Sequence, residues 1–312
     1  MTETHLSQAI ESTSPSGAAY DTNIKYLLAD KQVLARILKY TLQEFKDMKT
    51  EDIIPCIGDD IEIGTRPLDP GLSNLGRVNL TNTEDNVPGE GKIFYDIRFT
   101  AYIRKSEIKI LINVEAQRSS DSAKLGYHLE NRIIFYLARM ISAQKQTEFF
   151  HSDYDNLCPV RSIWICMDAE DDEDSIEEIS LSRKTVFGNK VYPCGTDLMK
   201  GIIVNVRNGE NLEKSQNNLI ALLEELLSGA DTAEKEKILS TEYGMIMTEE
   251  LEGRLQTMCN LSQNILEQGI EKERKNAIER MIRANATKEQ ILSYGYTEDE
   301  YKTVEDNLFA NA

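Results

Sequence analysis

The stretch Ile93–Gln117, IFYDIRFTAYIRKSEIKILINVEAQ, sets the architecture. Ile93, Tyr95, Ile97, Phe99, Ala101 and Ile103 alternate with Phe94, Asp96, Arg98, Thr100 and Tyr102, the period-2 pattern of a strand with one buried face. Ile108 to Gln117 repeats it, with Ile108, Ile110, Ile112, Val114 and Ala116 on the apolar side. Lys109, Leu111, Asn113, Glu115 and Gln117 take the other side. Arg104 to Glu107 is a short polar link, so the two runs form an antiparallel hairpin.

A four-residue loop pairs Ile103 with Ile108 and sets Asp96 across from Glu115 on the polar face. Directly opposed side chains lie about 4.5–5.5 Å apart at Cβ, and like charges there are destabilising. Either a raised carboxyl pKa or a bound cation has to offset the repulsion. A register shift of two sets Asn113 or Gln117 opposite Asp96 instead and leaves Glu115 as a diagonal neighbour.

Outward from the hairpin, Asn23 to Met48 carries apolar residues at helical spacing, enough for one or two amphipathic helices. Residues 55–91 read as loop with one short strand near Ile61–Thr65. Leu125 to Gln144 is a helix apolar over most of its surface, interrupted by Arg132, Tyr136 and Arg139 on one face, the pattern of a helix packed on a sheet. VRSIWICM (Val160–Met167) is apolar on both faces, as a central strand is. Ile179–Val186 and Ile202–Val206 are further strand candidates. Beyond Glu213 the pattern is helical, and Thr287 with Gln290 and Thr297 with Glu300 have capping-box spacing. The organisation expected is a mobile leader at 1–20, a domain at 21–210 and a helical region at 211–312.

Across 312 residues, 40% hydrophobic and 28% charged, composition suits a globular chain. No charge-free run approaches the roughly 20 apolar residues that span a bilayer, so no membrane partner is expected. Residues 1–20 lack an apolar core and the first Lys or Arg is Lys25, which argues against a secretory signal and for the cytoplasm. Five cysteines without a CxxC pair read as inert thiols. The net charge of -18 opposes nucleic acid on average. Lys92–Phe150 reverses that locally, with ten basic against six acidic residues.

Two hard oxygen ligands, Asp96 and Glu115, with Arg132 and Tyr136 on the next helix to meet phosphate oxygens, suit Mg²⁺- or Mn²⁺-assisted phosphodiester hydrolysis. Asp96, Glu115-Ala116-Gln117, Arg132 and Tyr136, in the setting YDIRFTAYI, INVEAQ, NRIIFYLARMISAQ and SIWICM, resemble the transposase-like branch of the PD-(D/E)xK nuclease superfamily. The resemblance runs from about Tyr26 into the C-terminal helices. It implies an α/β fold with a restriction-endonuclease-like three-layer core and a mixed central sheet. It further implies that Asp96 and Glu115 bind a divalent metal and that a third residue, here Gln117, orients the attacking water. Gln117 stands where the superfamily motif has Lys. A helix before the sheet often supplies a further Glu in that superfamily, and Glu44, Glu84 and Glu90 are the candidates here.

The activity expected is a metal-dependent DNA endonuclease that promotes recombination or transposition, with Arg132, Tyr136 and Arg98 on phosphate and a homo-oligomer as an option. The alternative is a weak or inactive nuclease fold kept as a DNA-binding or assembly module. Polar alternation by itself makes Asp96 and Glu115 ordinary solvent-facing strand residues, Arg132 a structural ion-pair partner and Tyr136 a core residue with its hydroxyl bonded.

Overall fold

A computed structural model describes residues 15–64, 84–87, 91–103, 108–169, 173–189, 197–207 and 213–310. Helix α1 spans Pro15–Leu28 and α2 Lys31–Thr41. The break between them is made by Asp30, whose carboxylate accepts from the N–H groups of Gln32 and Val33 and so opens α2. Helix therefore begins inside the expected leader, at Pro15, and Tyr20 is buried in the core. A short helix α3, Thr50–Ile53, precedes the two-residue strand β1, Glu62–Ile63, close to its expected place.

The hairpin has the expected register and one unexpected break. Strands β4 (Ile97–Ile103) and β5 (Ile108–Gln117) pair from Ile103 with Ile108 to Ile97 with Val114. The single long strand expected from Ile93 is interrupted at Tyr95–Asp96. Upstream of the break, β3 (Gly91–Phe94) pairs with β2 (Glu84–Val87) in a separate two-stranded sheet. Alternation slips there as well: Tyr95 leaves the face it would share with Ile97 and Phe99 and joins the opposite cluster, packing edge-on to Tyr136 at 5.5 Å between ring centroids.

After β5 come a helical turn α4 (Ser122–Leu125), helix α5 (Leu129–Ser142) and the central strand β6 (Val160–Cys166), every residue of which is buried. Gly126 at φ 76° ends α4 and divides the helix expected over 125–144, since few residues other than glycine enter that region without strain. Strands β7 (Ser175–Ser180) and β8 (Met199–Asn205) complete a six-stranded sheet in the order β1-β4-β5-β6-β8-β7. The pairs β5/β6 and β6/β8 are parallel and the others antiparallel, so the sheet is mixed. The strand expected over Ile179–Val186 ends at Ser180. Val186 and Phe187 beyond it are almost fully exposed, so the apolar residues read there as strand are not buried.

Alternate β5 residues face different layers. Ile110, Ile112 and Val114 meet α1 and α2 through Tyr20, Ile24, Leu27, Val33, Leu34 and Ile37 in the larger cluster. Leu111 meets α5 through Ile133, Tyr136 and Leu137. Helices thus cover both faces of the sheet, as in α/β folds. Helix α6 (Asn218–Leu227) buries Leu219, Leu222, Leu223 and Leu226 in the larger cluster, each such burial contributing about 1.5–3 kcal/mol.

The helical region after residue 210 divides by its packing. Helix α7 (Thr232–Thr241) and the first turns of α8 (Glu249–Arg283) join the main core through Leu239, Leu251, Leu255 and Met258. The far end of α8 instead forms a small core of Ile278, Ile291 and Val304 with α9 (Lys288–Ser293) and α10 (Glu298–Ala310). Both expected capping boxes are present: Gln290 and Glu300 each donate backbone N–H to, and accept side-chain-to-backbone bonds from, Thr287 and Thr297. No helix among the described residues is long and apolar enough to cross a membrane. Cys158, Cys166 and Cys259 are free thiols.

Candidate active site

The break at Asp96 builds the site. The β4/β5 ladder stops at Ile97–Val114, and side chains replace it: the Asp96 N–H donates to Glu115 Oε1 at 3.1 Å, and the Ala116 N–H donates to Asp96 Oδ2 at 3.0 Å. The two carboxylates expected to be neighbours are neighbours. They are not solvent-facing strand residues, since Asp96 is 8% and Glu115 2% exposed.

Burial is the main reason both carboxyls titrate above their ordinary values. For Glu115, which is raised well above, the charge of Asp96 adds to it, while the Asp96 N–H, Arg132 and Asn113 pull the other way. For Asp96 the opposing influence is Lys25.

Lys25 was not foreseen. From α1 its Nζ lies 2.9 Å from Asp96 Oδ1 and 2.7 Å from Asp21 Oδ2, one helical turn back. Burial works against the ammonium, but Asp96 and Asp21 outweigh it and hold its pKa above the ordinary lysine value. The available signal was the Asp21/Lys25 pair at i,i+4, beside the apolar stripe of Tyr20, Ile24 and Leu27. A lysine at the border of a core-facing stripe calls for a carboxylate partner.

The other expected residues gather on the α5 side. Arg132 Nη1 donates to Gln117 Oε1 at 3.3 Å and to the Tyr127 hydroxyl at 2.8 Å, and Nη2 donates to the Tyr136 hydroxyl at 3.1 Å. Its guanidinium also lies 5.0 Å from the centre of the Trp164 ring. Arg132 is thus held in an aromatic cradle rather than in a direct ion pair with Glu115 or Glu130. The Tyr136 hydroxyl is pushed up to about 12, by burial first and by the Glu115 charge second. Arg98 lies 5.4 Å from the Tyr95 ring centre, half-buried. Asn113, fully buried, donates to Ser162 Oγ at 3.3 Å and leaves its Oδ1 without a partner among the described residues.

Of the candidate upstream acids, Glu44 is placed elsewhere. It pairs with Arg161 near the start of β6, where Arg161 stands beside Ile112, three residues along β5 from Glu115. The side chain of Glu84 and all of Glu90 lie outside the described residues. The acidic residue that does approach the pair is Asp21, through Lys25.

Chemically, one ammonium is bonded to two carboxylates, Asp21 and Asp96, and Glu115 joins them through the Asp96 N–H. Next to them, Gln117, Arg132 and Tyr136 present polar atoms suited to a phosphate or water. Comparison with family models, with curated proteins and with solved structures returns no match, so the site is read from its own residues.

Proposed function

We propose that the chain is a metal-dependent phosphodiesterase acting on DNA, of the PD-(D/E)xK type that its sequence resembles. The observation that carries this reading is the buried Asp96–Glu115 pair, whose carboxylate charge exceeds the cations bonded to it. Carboxyls raised by burial and set side by side are candidates for a functional site, and a bound cation would favour their charged form.

The donor set suits Mg²⁺ or Mn²⁺. Among the described residues no group of three or more His, Cys, Asp or Glu forms a cage. Mg²⁺ is commonly held by only one or two carboxylates, keeping water in its shell and taking substrate phosphate oxygens. Asp96 and Glu115 would hold the ion. Bound there, it supplies a lowered pKa for the attacking water and charge stabilisation at phosphorus.

The chain's own residues do the rest. Gln117, steadied by Arg132, presents its amide to the attacking water. Arg132 and Tyr136 meet a non-bridging phosphate oxygen, and Arg98 sits on the approach for the neighbouring phosphate. Water adds to phosphorus, the bond to the leaving oxygen breaks, one proton is lost to solvent and the leaving oxygen takes one from solvent.

A promoting role in recombination follows if the cut ends are passed to strand exchange. The test is nicking of supercoiled plasmid with Mg²⁺, Mn²⁺ or chelator: metal-dependent nicking that Asp96→Ala and Glu115→Ala lose while still folded is expected. Nicking by both variants at the wild-type rate would refute it.

One observation favours a second reading, a nuclease fold that binds DNA without cutting it. Lys25 already offsets part of the carboxylate charge, and Gln117 brings none of the positive charge of a motif lysine. Shifted DNA without nicking at any Mg²⁺ or Mn²⁺ concentration would select this reading.

A further inference from the structure

On the hydrolytic reading above, the motif position 117 leaves the centre without an ammonium. We propose that Lys25, delivered from α1, is that ammonium: it places the attacking water beside Asp96.

Position comes first. Lys25 is directly bonded to the Asp96 member of the carboxylate pair, 2.9 Å from Oδ1, and it is 5% exposed. Two other nearby cations are engaged with aromatic rings, Arg132 with Tyr127, Tyr136 and Trp164, and Arg98 with Tyr95. Gln117 has its Oε1 engaged by Arg132.

Valence comes second. An ammonium has three N–H donors. Asp21 and Asp96 take two, and the third has no partner among the described residues. That donor is free for the oxygen of a water or of a phosphate at the edge of the Asp96 carboxylate. Lys25 remains protonated throughout the step and contributes by hydrogen bonding and charge, as preorganised donors do at developing negative charge.

Anchoring comes third. Tyr20, Ile24, Leu27 and Leu28 fix α1 in the larger core, and Asn23 Nδ2 donates to the Arg254 carbonyl of α8 at 2.9 Å. The helix is therefore held by packing that does not involve Lys25. A buried ion pair is often no more stabilising than apolar residues of the same volume. Stability alone does not call for a lysine here, whereas a water-placing role does.

The full chain as Lys25→Met, as the double variant Lys25→Met/Gln117→Lys and as wild type is tested by Mn²⁺ calorimetry without DNA and by plasmid nicking at saturating Mn²⁺. Lys25→Met is expected to bind Mn²⁺ at least as tightly as wild type, because a competing charge is gone, yet to nick about a hundredfold more slowly. The double variant is expected to regain nicking. Lys25→Met that nicks within about threefold of wild type, or faster, overturns the assignment and leaves the hydrolytic reading standing. Joint loss of Mn²⁺ binding and nicking without recovery in the double variant marks a merely structural pair and overturns it too. A wild type that binds Mn²⁺ but never nicks overturns the hydrolytic reading itself. Should Lys25→Met not fold, Lys25→Arg decides: slowed nicking at unchanged Mn²⁺ affinity supports the assignment, and wild-type nicking overturns it.

Discussion

Two buried cation–carboxylate groups sit a few residues apart along the same sheet, and they are opposites. Near the start of β6, Arg161 is fully buried and spends its donors on Glu44, on the Val160 carbonyl and on the Asp197 carbonyl. That group is balanced in charge, a guanidinium against the Glu44 carboxylate, although Glu44 Oε2 has no hydrogen-bond partner among the described residues. At the broken end of β4, Lys25 is bonded to Asp21 and Asp96, Glu115 accepts from the Asp96 N–H, and carboxylate is in excess. Burial is common to both groups, so burial does not distinguish a structural pair from a candidate active site. The mismatch between charges does.

Substitutions separate the two groups most sharply in activity. Glu115→Ala should reduce nicking by at least about a hundredfold, since changing even a supporting residue around a metal commonly costs about 10–100-fold. Glu44→Gln should leave nicking by the folded protein unchanged. Equal losses in both variants would erase the distinction.

Stability should answer in the reverse order. Breaking a buried pair from one side leaves an uncompensated charge and costs about 3–5 kcal/mol, so Glu44→Gln should lower the urea midpoint markedly. Glu115→Gln should do otherwise in chelator. The Glu115 carboxyl is raised from 4.5 in the fold, so the folded state binds more protons than the unfolded one between that value and its folded value. Its contribution to stability is present below pH 4.5 and is lost as pH rises through the folded value, with Asp96 acting in the same sense. Urea midpoints across acidic to neutral pH should therefore fall more steeply for wild type than for Glu115→Gln. Identical slopes would mean that the carboxyl is not strained by its setting.

The smallest effect calibrates the others. Lys109 and Glu148 pair at 2.6 Å on a partly exposed rim, and solvent screens them. Lys109→Ala should change stability by less than about 1 kcal/mol and leave nicking alone.

Much of this was legible in the sequence for local reasons. The hairpin register followed from alternation and a four-residue link, and both capping boxes from spacing. Trp164 and its neighbours on β6 were readable as a central strand because both faces are apolar. The break at Tyr95–Asp96 was not legible, because Tyr95 is as apolar as the face it leaves and its move depends on Tyr136 across the layer. The tail of Ile179–Val186 failed for a related reason: apolar residues without a partner surface look like strand until the sheet edge is known. Arg161, second in VRSIWICM, calls for a buried partner, but no local spacing points to Glu44 as that partner. Asp21 and Lys25 displayed their own spacing, but the docking of α1 that brings them to Asp96 is tertiary.

On the proposed reading the Asp96–Glu115 pair takes a divalent cation. Mn²⁺ titrated into the metal-free full chain, wild type against Glu115→Gln, and followed by electron paramagnetic resonance tests it directly. One bound ion per chain is expected in wild type, and none at that site in Glu115→Gln with the fold intact. Equal Mn²⁺ binding by the two proteins, or none by wild type, would contradict it.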